Sequence, residues 1–150
     1  DSSTSRGLGD VYKRQLSCAV VRPMKKCGYI LEKDGRMLSE KVISLPDENV
    51  KKCALEVLYW GIKSARGLIK HEDLLMIELQ NTHLVDWLLG EKDYAGYEDY
   101  LEKVFGVLEM LDCKYKVVCV PNNYASVYVK ENSISKVKTA SVKDMMSDLE

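Results

Sequence analysis

Few side chains in this chain have the type and spacing for metal-dependent or acid–base chemistry. Glu56 and Glu78 are acids that could hold a divalent cation through their carboxylate oxygens. His83 stands at the predicted start of a helix, where it could act as a general base or contact a phosphate. Each residue also has a plainer interpretation, because Glu56 suits a solvated helix face, Glu78 a strand edge and His83 a first helical turn.

The five cysteines argue against two common kinds of small protein. They are odd in number, contain no C-x-x-C pair and are accompanied by only two histidines: Cys18, Cys27, Cys53, Cys113 and Cys119, with His71 and His83. A disulfide framework or a zinc site needs paired or closely spaced ligands. We therefore expect most of these cysteines to pack as small apolar residues in a reducing cytoplasm.

Polar and basic residues next to the predicted strands are the candidate nucleic-acid contacts. They are Lys25, Lys26, Asn81, Thr82, His83, Asn122 and Asn123. The Asn81-Thr82 pair suits an anion-binding turn or simply a helix cap, and Asn122-Asn123 suits a binding loop or an ordinary turn. The two lysines begin a basic stripe that continues along the first predicted helix through Lys51, Lys52, Lys63, Arg66 and Lys70, although such residues are usually only solvated.

Composition indicates one soluble globular domain. The 150 residues carry 22 Lys+Arg and 23 Asp+Glu, which gives a formal net charge of −1 and argues against bulk electrostatic binding of nucleic acid. No apolar run approaches the roughly 18 residues of a membrane span. No Gly-rich phosphate loop, Ser-His-Asp set or Cys-His pair is present in the sequence.

Residues 1–15 resemble the read-through translation of a sequencing adapter found in assembled metagenomic sequence. No hydrophobic period runs through this leader, and glycine, serine and threonine interrupt any element. We expect the leader to be non-native and disordered, and residues 16–150 to form a single domain.

Hydrophobic patterning predicts a meander followed by alternating helices and strands. Apolar runs predict strands over Leu16–Arg22, Cys27–Glu32, Met37–Leu45, Asp73–Leu79 and Tyr115–Val120, with an Asp34-Gly35 turn between the second and third. Helical spacing predicts a long helix from Asp47 or Asn49 to Gly67, then helices over His83–Leu89, Tyr94–Leu111 and Val137–Leu149. The order β-β-β-α-β-α-α-β-α predicts an α/β fold, a five-stranded mixed sheet flanked by helices.

That order, together with four local motifs, resembles the type 1 ribonuclease H family. Gly28–Leu31 followed by Asp34-Gly35-Arg36 is similar to its second and third strands, and Ala54–Ala65 to its first helix. Gln80–Leu88 is similar to its fourth strand running into a helix, and Val118–Asn123 to the exit of its fifth strand. The resemblance covers about residues 16–130 and implies a ribonuclease H-like fold.

The resemblance also implies carboxylates on two Mg²⁺ ions, and these are missing at the matching positions. The first-strand acid is expected near Ser17, the first-helix acid at Ala54, the fourth-strand acid at Gln80 or Asn81, and the last near Val129. Glu56 is two residues from Ala54, a rotation of roughly 200° on a helix, so it should face away. Amide oxygens can ligate Mg²⁺ but cannot offset two dications.

We therefore expect a catalytically silent ribonuclease H-like domain without metal, acting in the cytoplasm as a nucleic-acid-associated or protein-docking module. An origin in a phage or mobile element is one interpretation. Its partner would be an RNA–DNA hybrid, a structured nucleic acid or a protein. One alternative is an active Mg²⁺-dependent ribonuclease H using Glu56, Glu78 and Asp86. Another is a small inhibitor of a nucleic-acid-targeting enzyme, with Glu91, Asp93, Glu98, Asp99 and Glu102 as a phosphate-mimicking face.

Overall fold

A five-stranded mixed sheet with strand order β3-β2-β1-β4-β5 organises the protein. The computed structural model describes residues 13–71, 73–90 and 96–132. Its strands are β1 (Lys13–Val21), β2 (Lys26–Lys33), β3 (Arg36–Ser44), β4 (Leu74–Leu79) and β5 (Lys114–Cys119). Its helices are α1 (Val50–Arg66), α2 (Thr82–Leu88), α3 (Glu98–Glu109) and α4 (residues 124–132). The predicted architecture is confirmed.

The first three strands form the antiparallel meander that the turn residues predicted. β1 pairs antiparallel with β2, and β2 with β3. Between β2 and β3, Asp34 and Gly35 have φ of 50° and 83°, the left-handed values that a tight Asp-Gly hairpin turn needs. β4 then pairs parallel with β1, and β5 parallel with β4, so the carboxyl ends of these three strands lie at one end of the sheet.

Successive side chains along each strand point to opposite faces of the sheet, and a helix covers each face. Leu16, Leu75 and Ile77 are fully buried in the main core, which they share with the buried face of α1. Close packing there requires Gly61, because a Cβ at this position would lie 2.8 Å from a methyl group of Leu16. On the other face, a Cβ on Gly28 would meet the side chain of Val129 at 3.2 Å, so α4 packs against β2.

Helix starts agree with the predicted caps. The Asn49 side chain accepts hydrogen bonds from the backbone N–H groups of Lys51 and Lys52, which makes Asn49 rather than Asp47 the N-cap of α1. Asn81 rather than Thr82 caps α2. None of the helices in the described ranges is long and apolar enough to cross a membrane.

Both ends of the chain differ from expectation where the structure describes them. β1 begins at Lys13, inside the predicted leader, because Arg14 is buried and its guanidinium lies 3.1 Å from the Asp73 carboxylate. Residues 124–132 form a helix that was not predicted from the sequence. The predicted helix over Val137–Leu149 and the leader before Lys13 lie outside the described residues.

Candidate functional site

The fold brings the predicted nucleic-acid contacts to one end of the sheet. Lys25 and Lys26 join the end of β1 to the start of β2, Asn81 to His83 follow β4, and Asn122-Asn123 follow β5. Because β1, β4 and β5 are parallel, their carboxyl ends meet at this end of the sheet. The first turn of α1 lies beside them, since Lys51 borders the same small cavity as Gln80. We call this end of the sheet the candidate site.

Gln80 stands at its centre and uses its amide to hold three segments together. Its Oε1 accepts a hydrogen bond of 2.8 Å from the Val20 backbone N–H at the end of β1. Its Nε2 donates one of 3.0 Å to the Pro121 backbone carbonyl beyond β5. The resemblance placed a metal-binding carboxylate at Gln80 or Asn81, and both of these side chains are amides with partners inside the protein, since Asn81 Oδ1 accepts from His83 N at 2.7 Å.

The Asn123 side-chain amide, like that of Gln80, links separate segments through hydrogen bonds to their backbone. It is only 2% exposed, donates to the Cys18 carbonyl at 2.9 Å and accepts from the Ser126 backbone N–H at 2.9 Å. This amide therefore links α4 to β1 and caps the first turn of α4. Asn123 was predicted to contact nucleic acid, but its burial removes it from the accessible surface. Its neighbour Asn122 is exposed at the same edge.

A cavity of about 100 Å³ lies between the start of α1 and the end of β4. Its lining is apolar or amide, apart from the one lysine: Cys18, Val20, Val50, Lys51, Ala54, Leu79, Gln80, Asn81 and Leu84. Burial, with a smaller contribution from the charge of Glu78, raises the pKa of the Cys18 thiol, so Cys18 is protonated at neutral pH. Ala54 and Gln80, two of the positions that lack a carboxylate, therefore face the same space.

The three acids considered for an active enzyme are not brought together. Glu56 lies on α1 and accepts a 3.0 Å hydrogen bond from the Trp60 indole. Glu78 lies on the opposite face of the sheet, where Ser17 Oγ donates to it at 3.0 Å. Asp86 lies on α2. Across residues 13–71, 73–90 and 96–132, no three His, Cys, Asp or Glu side chains are grouped so that they could hold a metal ion.

The other two positions where the resemblance implies an acid, Ser17 and Val129, are buried. Ser17, near which the first acid was expected, is 1% exposed. Val129, near which the last was expected, is fully buried beside Gly28. Ser17 contacts Glu78. Burial, with a smaller contribution from the charge of Glu78, raises the pKa of Glu32 on β2.

The accessible rim of the candidate site carries Lys51 and His83 and lies beside the buried ring of Trp87. Lys51 Nζ lies 3.3 Å from His83 Nδ1 and 5.3 Å from the centre of the Trp87 ring. Trp87 in turn packs against Tyr97 with ring centres 4.8 Å apart. His83 is exposed and Lys51 partly so, so both present polar atoms to solvent. From the sequence, Lys51 was only one member of a basic stripe, because its proximity to His83 depends on how α1 and α2 pack.

Lys25 and Lys26 border an open cleft of about 650 Å³ at the same end of the sheet. Arg22 adds a third cationic side chain to this cleft, while Asp47 and Glu48 add two acids. Lys26 Nζ donates to Ser44 Oγ at 3.2 Å across the β2–β3 pair. The cleft is therefore of mixed charge rather than uniformly basic.

Comparison with solved structures identifies the architecture. No family model matches the sequence, and no curated protein matches it. An N-terminal RNase H domain from Mycobacterium tuberculosis superposes with a TM-score of 0.65 at 12% identity, covering 86% of this chain and 99% of that one. RNase H1 from Halobacterium salinarum gives a TM-score of 0.55 at 16% identity, covering 73% of this chain and 85% of that one.

LC11-RNase H1, which was isolated from compost by a metagenomic approach, is also similar. Its structure in complex with an RNA/DNA hybrid has a TM-score of 0.60 at 10% identity and covers 79% of this chain and 94% of that one. These matches agree with the strand order and with the parallel pairing of β1, β4 and β5. The chain has the ribonuclease H-like fold.

Proposed function

We propose that this chain is a catalytically silent ribonuclease H-like domain that binds nucleic acid through the carboxyl end of its sheet. The observation that carries the proposal is the use of Gln80. Its amide is committed to hydrogen bonds with the Val20 and Pro121 backbone at a position where the resemblance implies an ionised carboxylate of a two-metal hydrolase. A pair of Mg²⁺ ions does not fit this lining, because the Gln80 amide and the Ala54 methyl group beside the same cavity have no charge to offset a dication.

Binding is supported by the charge and exposure of the rim. Lys51 and His83 present nitrogen atoms 3.3 Å apart beside an aromatic pair, and Lys25 and Lys26 border the neighbouring cleft. Amines of this kind contact phosphate oxygens, and the affinity they provide falls as salt rises. The similar LC11-RNase H1 was crystallised with an RNA/DNA hybrid, so a hybrid is the first ligand to test.

The experiment measures cleavage and binding of one labelled RNA–DNA hybrid with Mg²⁺ or Mn²⁺. We expect binding without cutting by the chain as it stands and by a Ser17→Asp variant, because Ala54 and Gln80 still lack carboxylates in that variant. Lys51→Glu should weaken binding about tenfold, and its effect should shrink at high salt. Lys116→Glu, an equal charge change on the exposed start of β5, is the matched control.

Each outcome decides a part of the proposal. Metal-dependent cutting that is lost in Glu78→Gln would overturn catalytic silence. Failure to bind the hybrid or a structured RNA would overturn nucleic-acid binding and favour a protein partner. Equal weakening by Lys51→Glu and Lys116→Glu would contradict the assignment of the rim, because it would show only a response to net charge.

A further inference from the structure

A second surface, away from the candidate site, joins lysines to aromatic rings. Lys41 on β3, Tyr59, Trp60 and Lys63 on α1, and Lys103 on α3 form what we call the lysine–aromatic patch. Lys41 and Lys63 Nζ lie 4.4 and 5.1 Å from the centre of the Trp60 ring. Lys63 and Lys103 Nζ lie 5.7 and 5.4 Å from the centre of the Tyr59 ring. Each ring therefore holds two ammonium groups.

The patch is built by the packing of three elements and is distinct from the candidate site. Trp60 is ten residues along α1 from Val50, about 15 Å at the rise of an α-helix. The two ring centres are 5.3 Å apart and nearly perpendicular, so they present faces in two directions. The three lysines are exposed and the two rings are half-buried, so the ammonium groups stand at the surface while the rings form its floor.

Charge on this surface is poorly balanced. Over the described residues, none of the three lysines forms an ion pair, and their interactions are those with the rings. Glu56 is the acid that touches the patch, and its carboxylate accepts a hydrogen bond from the Trp60 indole instead of pairing with a lysine. Glu102 is also exposed, next to Lys103 along α3. The three ammonium groups therefore lie against rings rather than against the carboxylates of Glu56, Asp99 and Glu102.

We propose that the lysine–aromatic patch binds a single strand of RNA or DNA. Three closely set ammonium groups complement the regular charge of a phosphodiester backbone. When a lysine turns from a ring to a phosphate, the ring face that it leaves is free to stack on an unpaired base. A duplex keeps its bases stacked within the helix, so the pairing of amines with aromatic rings favours a single strand.

An acidic protein surface is the competing occupant. Carboxylates would satisfy the same three lysines, but they have no flat face to stack on Trp60 and Tyr59. A response of the indole itself therefore separates the two ligands. If the lysine stems only shield the rings from water, neither ligand will bind, and the lysines will matter for stability alone.

The test uses the two tryptophans of the chain as separate reporters. Trp87→Phe leaves Trp60, which reports on the lysine–aromatic patch. Trp60→Phe leaves Trp87, which reports on the rim of the candidate site through its contact with Lys51. Indole fluorescence is titrated with a short oligothymidylate and, separately, with poly-glutamate. We expect the oligothymidylate to quench Trp60 and poly-glutamate to leave it unchanged at equal charge.

Replacing lysines of the lysine–aromatic patch by glutamate provides a second test of the proposal. In the Trp87→Phe background, Lys41→Glu with Lys63→Glu should weaken binding at least tenfold. The slope of log affinity against log salt should also become shallower by about 0.7 for each phosphate that the variant no longer neutralises. Lys114→Glu with Lys116→Glu on β5 makes the same charge change at the opposite edge of the sheet and is the control.

The results bear separately on the two binding surfaces. No quenching of Trp60, or equal weakening by the patch and control variants, would overturn the patch proposal. Equal competition by poly-glutamate would overturn it in favour of a protein ligand. Binding of the RNA–DNA hybrid, followed at Trp87, should be unaffected by the Lys41 and Lys63 variants, so failure at one surface leaves the other testable.

Discussion

Replacing Asn123 by alanine should destabilise the packing of α4 against the sheet. The Asn123 amide is buried and bridges two segments that are distant in sequence, the Cys18 carbonyl on β1 and the Ser126 N–H of α4. In Asn123→Ala both partners stay buried while their hydrogen bonds to the amide disappear. Cys18 and Ser126 are each 2% exposed, so water does not readily replace the amide.

The magnitude follows from those two bonds. Losing the side-chain cap of α4 costs about 1 kcal/mol. Leaving the Cys18 carbonyl without its donor costs about 1–3 kcal/mol, the desolvation penalty of an unsatisfied buried group. The third contact, to the Glu78 carbonyl at 3.5 Å, is too long to add much. We therefore expect a loss of about 2–4 kcal/mol in the free energy of unfolding, or about 10 °C in Tm for a domain of this size.

Urea unfolding followed by circular dichroism measures this loss, with Asn122→Ala on the exposed neighbour as the control. Asn123→Asp adds a sign test. It keeps the acceptor for Ser126 but faces the Cys18 carbonyl with an oxygen, so it should be destabilised at neutral pH and recover in acid, where a protonated carboxyl can donate. A loss in Asn123→Ala no larger than that in Asn122→Ala would refute the structural use of this amide.

Four further perturbations test the sheet and the open surface of α3. A chain that begins two residues after Arg14 leaves Asp73 buried without its cation and should unfold about 3 kcal/mol more easily than the full chain in a urea titration. Burial, with a smaller contribution from the charge of Glu78 on β4, raises the pKa of Glu32. The contribution of Glu32 to the free energy of unfolding is therefore present in acid, where its carboxyl is protonated, and is lost as the pH rises through its raised pKa. Neutral Glu32→Gln should therefore raise Tm at neutral pH, with no gain in acid. Gly28→Ala should cost about 1–3 kcal/mol in the same urea titration, because its Cβ meets the β3 main chain, whereas Gly106→Ala on open helix surface should stabilise by about 0.5–1 kcal/mol.

The elements were predictable where one local signal dominated. The apolar run of β2 and the Asp34-Gly35 turn specify a hairpin without help from the rest of the chain. The cap of α1 was narrowed to two residues, and geometry selects Asn49 because its side chain reaches two free N–H groups. The start of β1 was placed too late, because Arg14 is buried beside Asp73, a partner distant in sequence that no local pattern indicates.

The candidate site was predictable in its location and not in the roles of its residues. Parallel strands bring the segments after β4 and β5 together, and the sequence already marked both segments by their amides. Sequence alone does not say whether an asparagine faces solvent or the interior. Asn122 is exposed and Asn123 is buried, because Asn123 immediately precedes α4, whose first N–H groups need an acceptor.

The order of elements and the resemblance to a ribonuclease H-like fold follow from the sequence, because periodicity, turn residues and residue types are local properties. Which groups meet depends on the packing of the whole chain. That packing places Glu56 and Glu78 on opposite faces of the sheet and brings Lys51 to His83. It also sets lysines of β3, α1 and α3 around two rings. These contacts join residues far apart in the chain, and their distances depend on how helices pack on a twisted sheet.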